Sequence, residues 1–109
     1  MNEDPVKIKI EVLKIIYHSM MPIYYKLNSC LEDIFQNKIS ISDPERALLL
    51  EYSSHASTLK IVFENYFETF SEKEAIELSQ EEYLSVLTMA KSVEAASRSS
   101  FGNIYLWNN

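Results

Sequence analysis

Two histidines and a single cysteine are the side chains of this 109-residue chain best suited to nucleophilic or metal chemistry. His55 lies in the run Ser53-Ser54-His55-Ala56-Ser57-Thr58-Leu59, with Lys60 directly behind it. An imidazole on a helix, with a lysine close by to balance an incoming phosphoryl group, could accept and pass on phosphate. His18 precedes Pro22 by one helical turn and fits a helix face beside a kink. Cys30 has no second cysteine to bridge to, so it cannot close an internal disulfide and fits a reducing, cytoplasmic compartment. Its place on an apolar stripe makes it a buried structural thiol.

The surroundings of His55 depart from known phosphoacceptors. Histidine-kinase dimerisation helices carry an acid directly after the histidine and a proline five residues on, where this chain has Ala56 and Lys60. Phosphotransfer modules place a lysine three residues on and then a glycine, where it has Thr58 and Leu59. A histidine phosphotransfer-type signalling module using His55 is therefore the alternative reading. Glu51 and His55 form an i, i+4 pair, but no second acid–histidine pair completes a four-ligand metal site. Glu72, Glu74, Glu77, Glu81 and Glu82 lack the Asp/Asn/Gly loop pattern of calcium sites. They suit the positive end of a helix dipole instead. The chain is expected to need no cofactor or metal and to perform no catalysis.

Charge narrows the partners. The net charge is −6, concentrated in residues 43–82, where ten acids face only Arg46, Lys60 and Lys73. A nucleic-acid binder should present a basic face, and Lys7 and Lys9 would stand roughly 160° apart on a helix, so no nucleic acid is expected. Lys14, His18 and Lys26 break up the most apolar stretch, so no membrane is expected either. Met1 to Pro5 is polar and acidic rather than basic and then apolar, unlike a secretory leader.

The elements that position these groups read as helices. Gly102 is the only glycine, whereas a sheet protein of this size needs several residues tolerant of positive φ. Leu13, Ile16, Met20, Ile23, Leu27, Cys30 and Ile34 alternate in steps of three and four, a helical seam that passes straight through Pro22. The spacing predicts an all-α fold: an antiparallel helical bundle of three long helices over about 5–37, 44–70 and 80–100, forming one domain. The first helix is expected to kink at Pro22, which has no N–H for the carbonyl of His18. Val6 to Val12 also alternates in the manner of a strand, with the tail as its natural mate, but the unbroken seam favours helix.

Ser42-Asp43-Pro44-Glu45 reads as the start of the second helix, whose inner stripe is expected to be Leu48, Tyr52, His55, Leu59, Val62, Tyr66 and Phe70. Ser71 with Glu74 predicts a short helical turn, and Ser79 with Glu82 the start of the last helix. Residues 101–109 form an apolar tail.

At 1.5 Å per residue a first helix of that span would be about 50 Å long and outreach its neighbours. Its surplus apolar surface would require cover from a second copy, as a homodimer, or from another protein. Tyrosine and methionine favour such contacts. Met20, Met21, Tyr24 and Tyr25 around the kink, with Phe101, Tyr105 and Trp107 in the tail, are the expected partner-binding residues. The expected function is a small, acidic, cytoplasmic protein-binding module that regulates, inhibits or chaperones a protein partner.

Overall fold

The alternation of Val6 and Ile8 with Lys7 and Lys9 decides the first element, and it is a strand. The computed structural model describes residues 4–98. It runs β1 (Val6–Lys9), α1 (Ile10–Phe35), α2 (Asp43–Thr69), β2 (Ala75–Leu78) and α3 (Gln80–Arg98). The described residues are thus mainly helical, with three helices and one small antiparallel sheet among them rather than helices alone.

The sheet corrects two expectations. Residues 6–9 do not begin the first helix, and Ser71–Glu74 opens no helical turn. Instead β1 pairs with β2 in the register Val6↔Leu78, Lys7↔Glu77, Ile8↔Ile76 and Lys9↔Ala75. A strand has a side-chain period of two, so Val6, Ile8, Ile76 and Leu78 all turn towards the core while Lys7, Lys9 and Glu77 face water. A helix over the same residues would have spread these apolar side chains around its circumference. The mate of β1 is β2, and the tail proposed for that role lies outside the described residues.

The sheet also starts α1. Lys9 at the N-cap is extended and offers no side-chain cap, so the first helical N–H needs another acceptor. The Ile10 N–H donates to the Glu74 carbonyl oxygen at 2.8 Å, on the chain just before β2. The helix then continues through Pro22.

Asn37 ends it by adopting φ 60°, a left-handed conformation that asparagine tolerates better than most residues. The Lys38 N–H donates to Asp33 O at 2.8 Å and the Asn37 N–H to Ile34 O at 3.0 Å. Those two bonds make a Schellman termination without glycine. Ser42 caps α2 by accepting from the Glu45 N–H at 3.3 Å, and Ser79 accepts from the Glu82 N–H at 3.1 Å ahead of α3.

Side-chain pairs give the helix directions. Tyr17 meets Glu64 and Asn28 meets Ser53, so α1 and α2 run oppositely. Tyr66 meets Glu82 and His55 meets Ser92, so α2 and α3 do too. The helix α2 lies against both of the others. At 26 and 27 residues, α1 and α2 are both about 40 Å long, so α1 does not outreach α2, although it is longer than the 19 described residues of α3.

The seam on α1 is realised: Leu13, Met20, Leu27, Cys30 and Ile34 are buried, with Ile16 and Ile23 half-buried. The stripe on α2 is displaced. Leu49, Ser53, Ala56, Leu59 and Phe63 are its buried residues, and only Leu59 belongs to the expected set. Small side chains at Ser53 and Ala56 let neighbouring backbones approach, and the Ser53 hydroxyl is satisfied by Asn28 Oδ1 at 3.2 Å. Leu48 stands 43% exposed while Leu59 is wholly buried. Leu59→Ala should therefore cost about 2–5 kcal/mol in urea unfolding, and Leu48→Ala no more than about 0.5 kcal/mol. Equal costs would place the core on the wrong face of α2.

Candidate functional site

At roughly 100° per residue the four expected contact residues on α1 span an arc of about 140°, and their burial differs along it. Met20 is only 4% exposed and belongs to the core. Met21 is half-buried, and Tyr25 projects into solvent at 61% exposure. Tyr24 packs edge-on against Tyr25 with ring centroids 5.3 Å apart and lies beneath the Lys60 ammonium, 5.8 Å from its ring centre. Phe101, Tyr105 and Trp107 lie outside the described residues.

Tyr24 borders a polar cluster that joins α1 to α2. The Tyr17 hydroxyl donates to Glu64 Oε2 at 2.7 Å, and Lys60 Nζ donates to Glu64 Oε1 at 2.9 Å. The Tyr17 ring also meets Phe67 edge-on at 5.4 Å. The bond to Glu64 is the main reason the Tyr17 hydroxyl titrates above its ordinary value, with burial adding to it. Lys60 is raised chiefly by its own bond to Glu64. Glu64 in turn is lowered, first by the bond from Tyr17 and then by that from Lys60. This arrangement fastens α1 to α2 through three side chains.

His55 is half-buried between α2 and α3, with Nδ1 2.6 Å from Ser92 Oγ. Its hydrogen-bond partner is thus Ser92 rather than Glu51 one turn back. Burial, and secondarily the Asp33 carboxylate, push the Cys30 thiol above its usual pKa, which disfavours the nucleophilic thiolate. Among the described residues no three His, Cys, Asp or Glu side chains gather to hold a metal ion. Among the same residues no helix is long and apolar enough to cross a membrane.

The strand geometry reopens one charge pattern. Lys7 and Lys9 share the solvent face of β1, and with Lys14 and Lys73 they surround a shallow concavity of about 640 Å³. Glu11 and Glu74 line it as well, and Glu77 stands opposite Lys7, so the surface is mixed in sign.

The most distinctive surface is apolar. Both α1 and α3 lie against α2, and between them runs an open cleft of about 450 Å³. Ile15, Ile16 and Ile23 form one wall, Leu87 and Ala90 the other, and Leu59 of α2 reaches it from below. Ile16 and Ile23 are the two seam residues of α1 that are only half-buried, and the cleft is why. Ile15 is 62% exposed. One turn earlier on each wall stand Val12, 44% exposed, and Leu84, 56% exposed, which lengthen the strip. The sequence signal for this site was Ile15 itself, a large apolar residue one position ahead of the seam residue Ile16.

Comparison with models of protein families, with curated proteins and with solved structures finds no match to this chain.

Titration of the Tyr17–Glu64–Lys60 cluster is measurable. Because the folded pKa of Glu64 is depressed, its contribution to stability is present above the ordinary carboxylate pKa and lost as pH falls through the depressed value. Because that of Tyr17 is raised, its contribution is present below the ordinary tyrosine pKa and lost as pH rises through the raised value. Between about pH 7 and about pH 3, the wild type should lose more stability than Glu64→Gln in parallel urea titrations. Parallel acid limbs for the two proteins would show that Glu64 gains nothing from these partners.

Proposed function

We propose that this protein acts by contact: it binds a protein partner and regulates, inhibits or chaperones it, without catalysis of its own. The observation that carries this reading is the cleft between α1 and α3. It leaves Ile15 substantially exposed, and Val12 and Leu84, also exposed, stand one helical turn earlier on α1 and α3. Burying an isoleucine-sized side chain contributes roughly 1.5–3 kcal/mol, so a partner presenting an apolar helix face or segment gains several such contributions at once. The length of the strip suits helix-in-groove recognition, where anchors recur every three or four residues.

The bend expected at Pro22 fits this reading, because Ile23 lies at that point of the cleft wall and a bend there would set the cleft's width. A cytoplasmic setting, expected from the lone cysteine, also belongs to the proposal. A second copy of the chain, meeting the first as a homodimer, is one form the partner can take. The phosphotransfer alternative draws little support from His55, whose Nδ1 is engaged by Ser92 between two packed helices.

The test compares three versions of the chain in affinity capture and sedimentation. A partner bound by the wild type should be lost with Ile15→Asp, by about tenfold in affinity or more, since a carboxylate would be forced into an apolar contact. It should be kept by Ile61→Asp, which replaces a side chain 57% exposed on α2 and outside the cleft lining. Identical binding by all three, or a chain that stays monomeric and captures nothing, would refute the proposal.

A further inference from the structure

We infer that the concavity beside the sheet, lined by Lys7, Lys9, Lys14 and Lys73, binds a small phosphorylated polyol. Its phosphates would meet the four ammonium groups and its hydroxyls the carboxylates of Glu11 and Glu74. The inference goes beyond the contact function of the α1–α3 cleft and does not depend on it.

Charge supports it first. The chain carries ten lysines and arginines against sixteen acids, so carboxylates are plentiful enough to pair every base. Among the described residues the ion pairs are Lys60 with Glu64 and Arg98 with Glu94. The four lysines at the concavity make none, although Glu11 and Glu74 line the same space. Four of the ten basic side chains are thus gathered in one place on an acidic protein. An anion entering between them relieves their mutual repulsion.

The fold brings these groups from three stretches of chain and ties the stretches together. Lys7 and Lys9 share the solvent face of β1, roughly 7 Å apart along the strand. Lys14 stands on α1 and Lys73 on the segment ahead of β2. The Lys73 N–H donates to the Phe70 carbonyl oxygen at 3.0 Å, and the Ile10 N–H to that of Glu74 at 2.8 Å. With the pairing of β1 and β2, these bonds fix the strand, the helix and the connecting segment relative to one another. Only the side chains remain to be ordered when a ligand arrives, which limits the entropic cost of binding.

Size and lining select the ligand. The space is about 640 Å³, within the roughly 300–1,000 Å³ of small-molecule sites. Ile10 and Ala75 complete the lining, so a nucleobase would find no aromatic face to stack on. A bare polyphosphate would be attracted by four ammonium groups and repelled by two carboxylates. A polyol that carries phosphates satisfies both kinds of group. Lysine ammoniums donate to phosphate oxygens as point charges, and ionised carboxylates accept from hydroxyls.

Inositol trisphosphate is the probe, followed by titration calorimetry and by amide NMR shifts of the full chain. At low salt it should bind, with shifts concentrated in residues 7–14 and 73–77, while unphosphorylated inositol should not. Lys9→Gln and Lys14→Gln should each weaken binding about tenfold. Lys38→Gln, the same loss of charge beyond the far end of α1, should leave it unchanged. All three lysines are exposed, so circular dichroism should not change. Glu11→Ala should weaken inositol trisphosphate, which loses a hydroxyl acceptor, and strengthen pyrophosphate, which loses only a repulsion. No binding at millimolar ligand overturns the inference, as do shifts scattered over the whole surface or an equal loss with Lys38→Gln. A gain for both anions with Glu11→Ala overturns the polyol. Phosphatidylcholine vesicles containing phosphatidylinositol bisphosphate separate the two sources of this chemistry. Co-sedimentation that Lys9→Gln abolishes assigns the site to a lipid headgroup, and trisphosphate binding without co-sedimentation assigns it to a soluble ligand.

Discussion

Burial of α2 on two sides is the constraint from which the rest of this structure follows. One helix serves as the packing partner of both others, so its buried band must be broad and closely approached. Leu49, Leu59 and Phe63 supply the bulk, and Ser53 and Ala56 the closeness. Tyr52, His55, Val62, Tyr66, Phe67 and Phe70 fill in at the edges of that core. Because α1 and α3 are each held by α2, they are not forced fully against one another. The cleft is the space left between two helices whose main packing obligations lie elsewhere, and this is why it is apolar and yet open.

The polar contacts serve the same arrangement. Tyr17, Glu64 and Lys60 fasten one flank of the α1–α2 pair, and Ser53 with Asn28 fastens it further along. His55 and Ser92 join α2 to α3. Exposed ion pairs contribute little, so the energetic weight rests on the apolar contacts. The hydrogen bonds chiefly fix register. Three of the groups that could do chemistry have a structural place here: Cys30 in the core, His55 as a strut between helices, and Glu64 as a fastener.

Much of this was legible in the residues, and the failures have physical causes. The α1 seam could be read because its step of three and four persists from Leu13 to Ile34. The starts of α2 and α3 were marked by Ser42 and Ser79, whose hydroxyls make the expected caps. The strand β1 was ambiguous because its alternation runs without a break into the α1 seam, and its partner is about seventy residues away. No window of sequence contains that information. The α2 stripe was misplaced because Leu48, Leu49 and Leu50 put apolar groups on three adjoining faces. Hydrophobicity cannot choose among them, and it undervalues Ser53 and Ala56, which tertiary packing selects for their small size. The cleft was half legible: Ile15 fell outside the seam, but its opposite wall on α3 could be supplied only by the fold.

The pairing of β1 with β2 also bears on how the chain reaches this state. Contacts between α1 and α2, and between α2 and α3, join segments that follow one another, so they close short loops and form early. The two strands are too short to persist alone, and their pairing depends on the helices that bring residues 6–9 beside 75–78. Since the Glu74 carbonyl accepts from the first N–H of α1, the sheet is a latch, small in area, that ties the start of that helix to the segment ahead of α3.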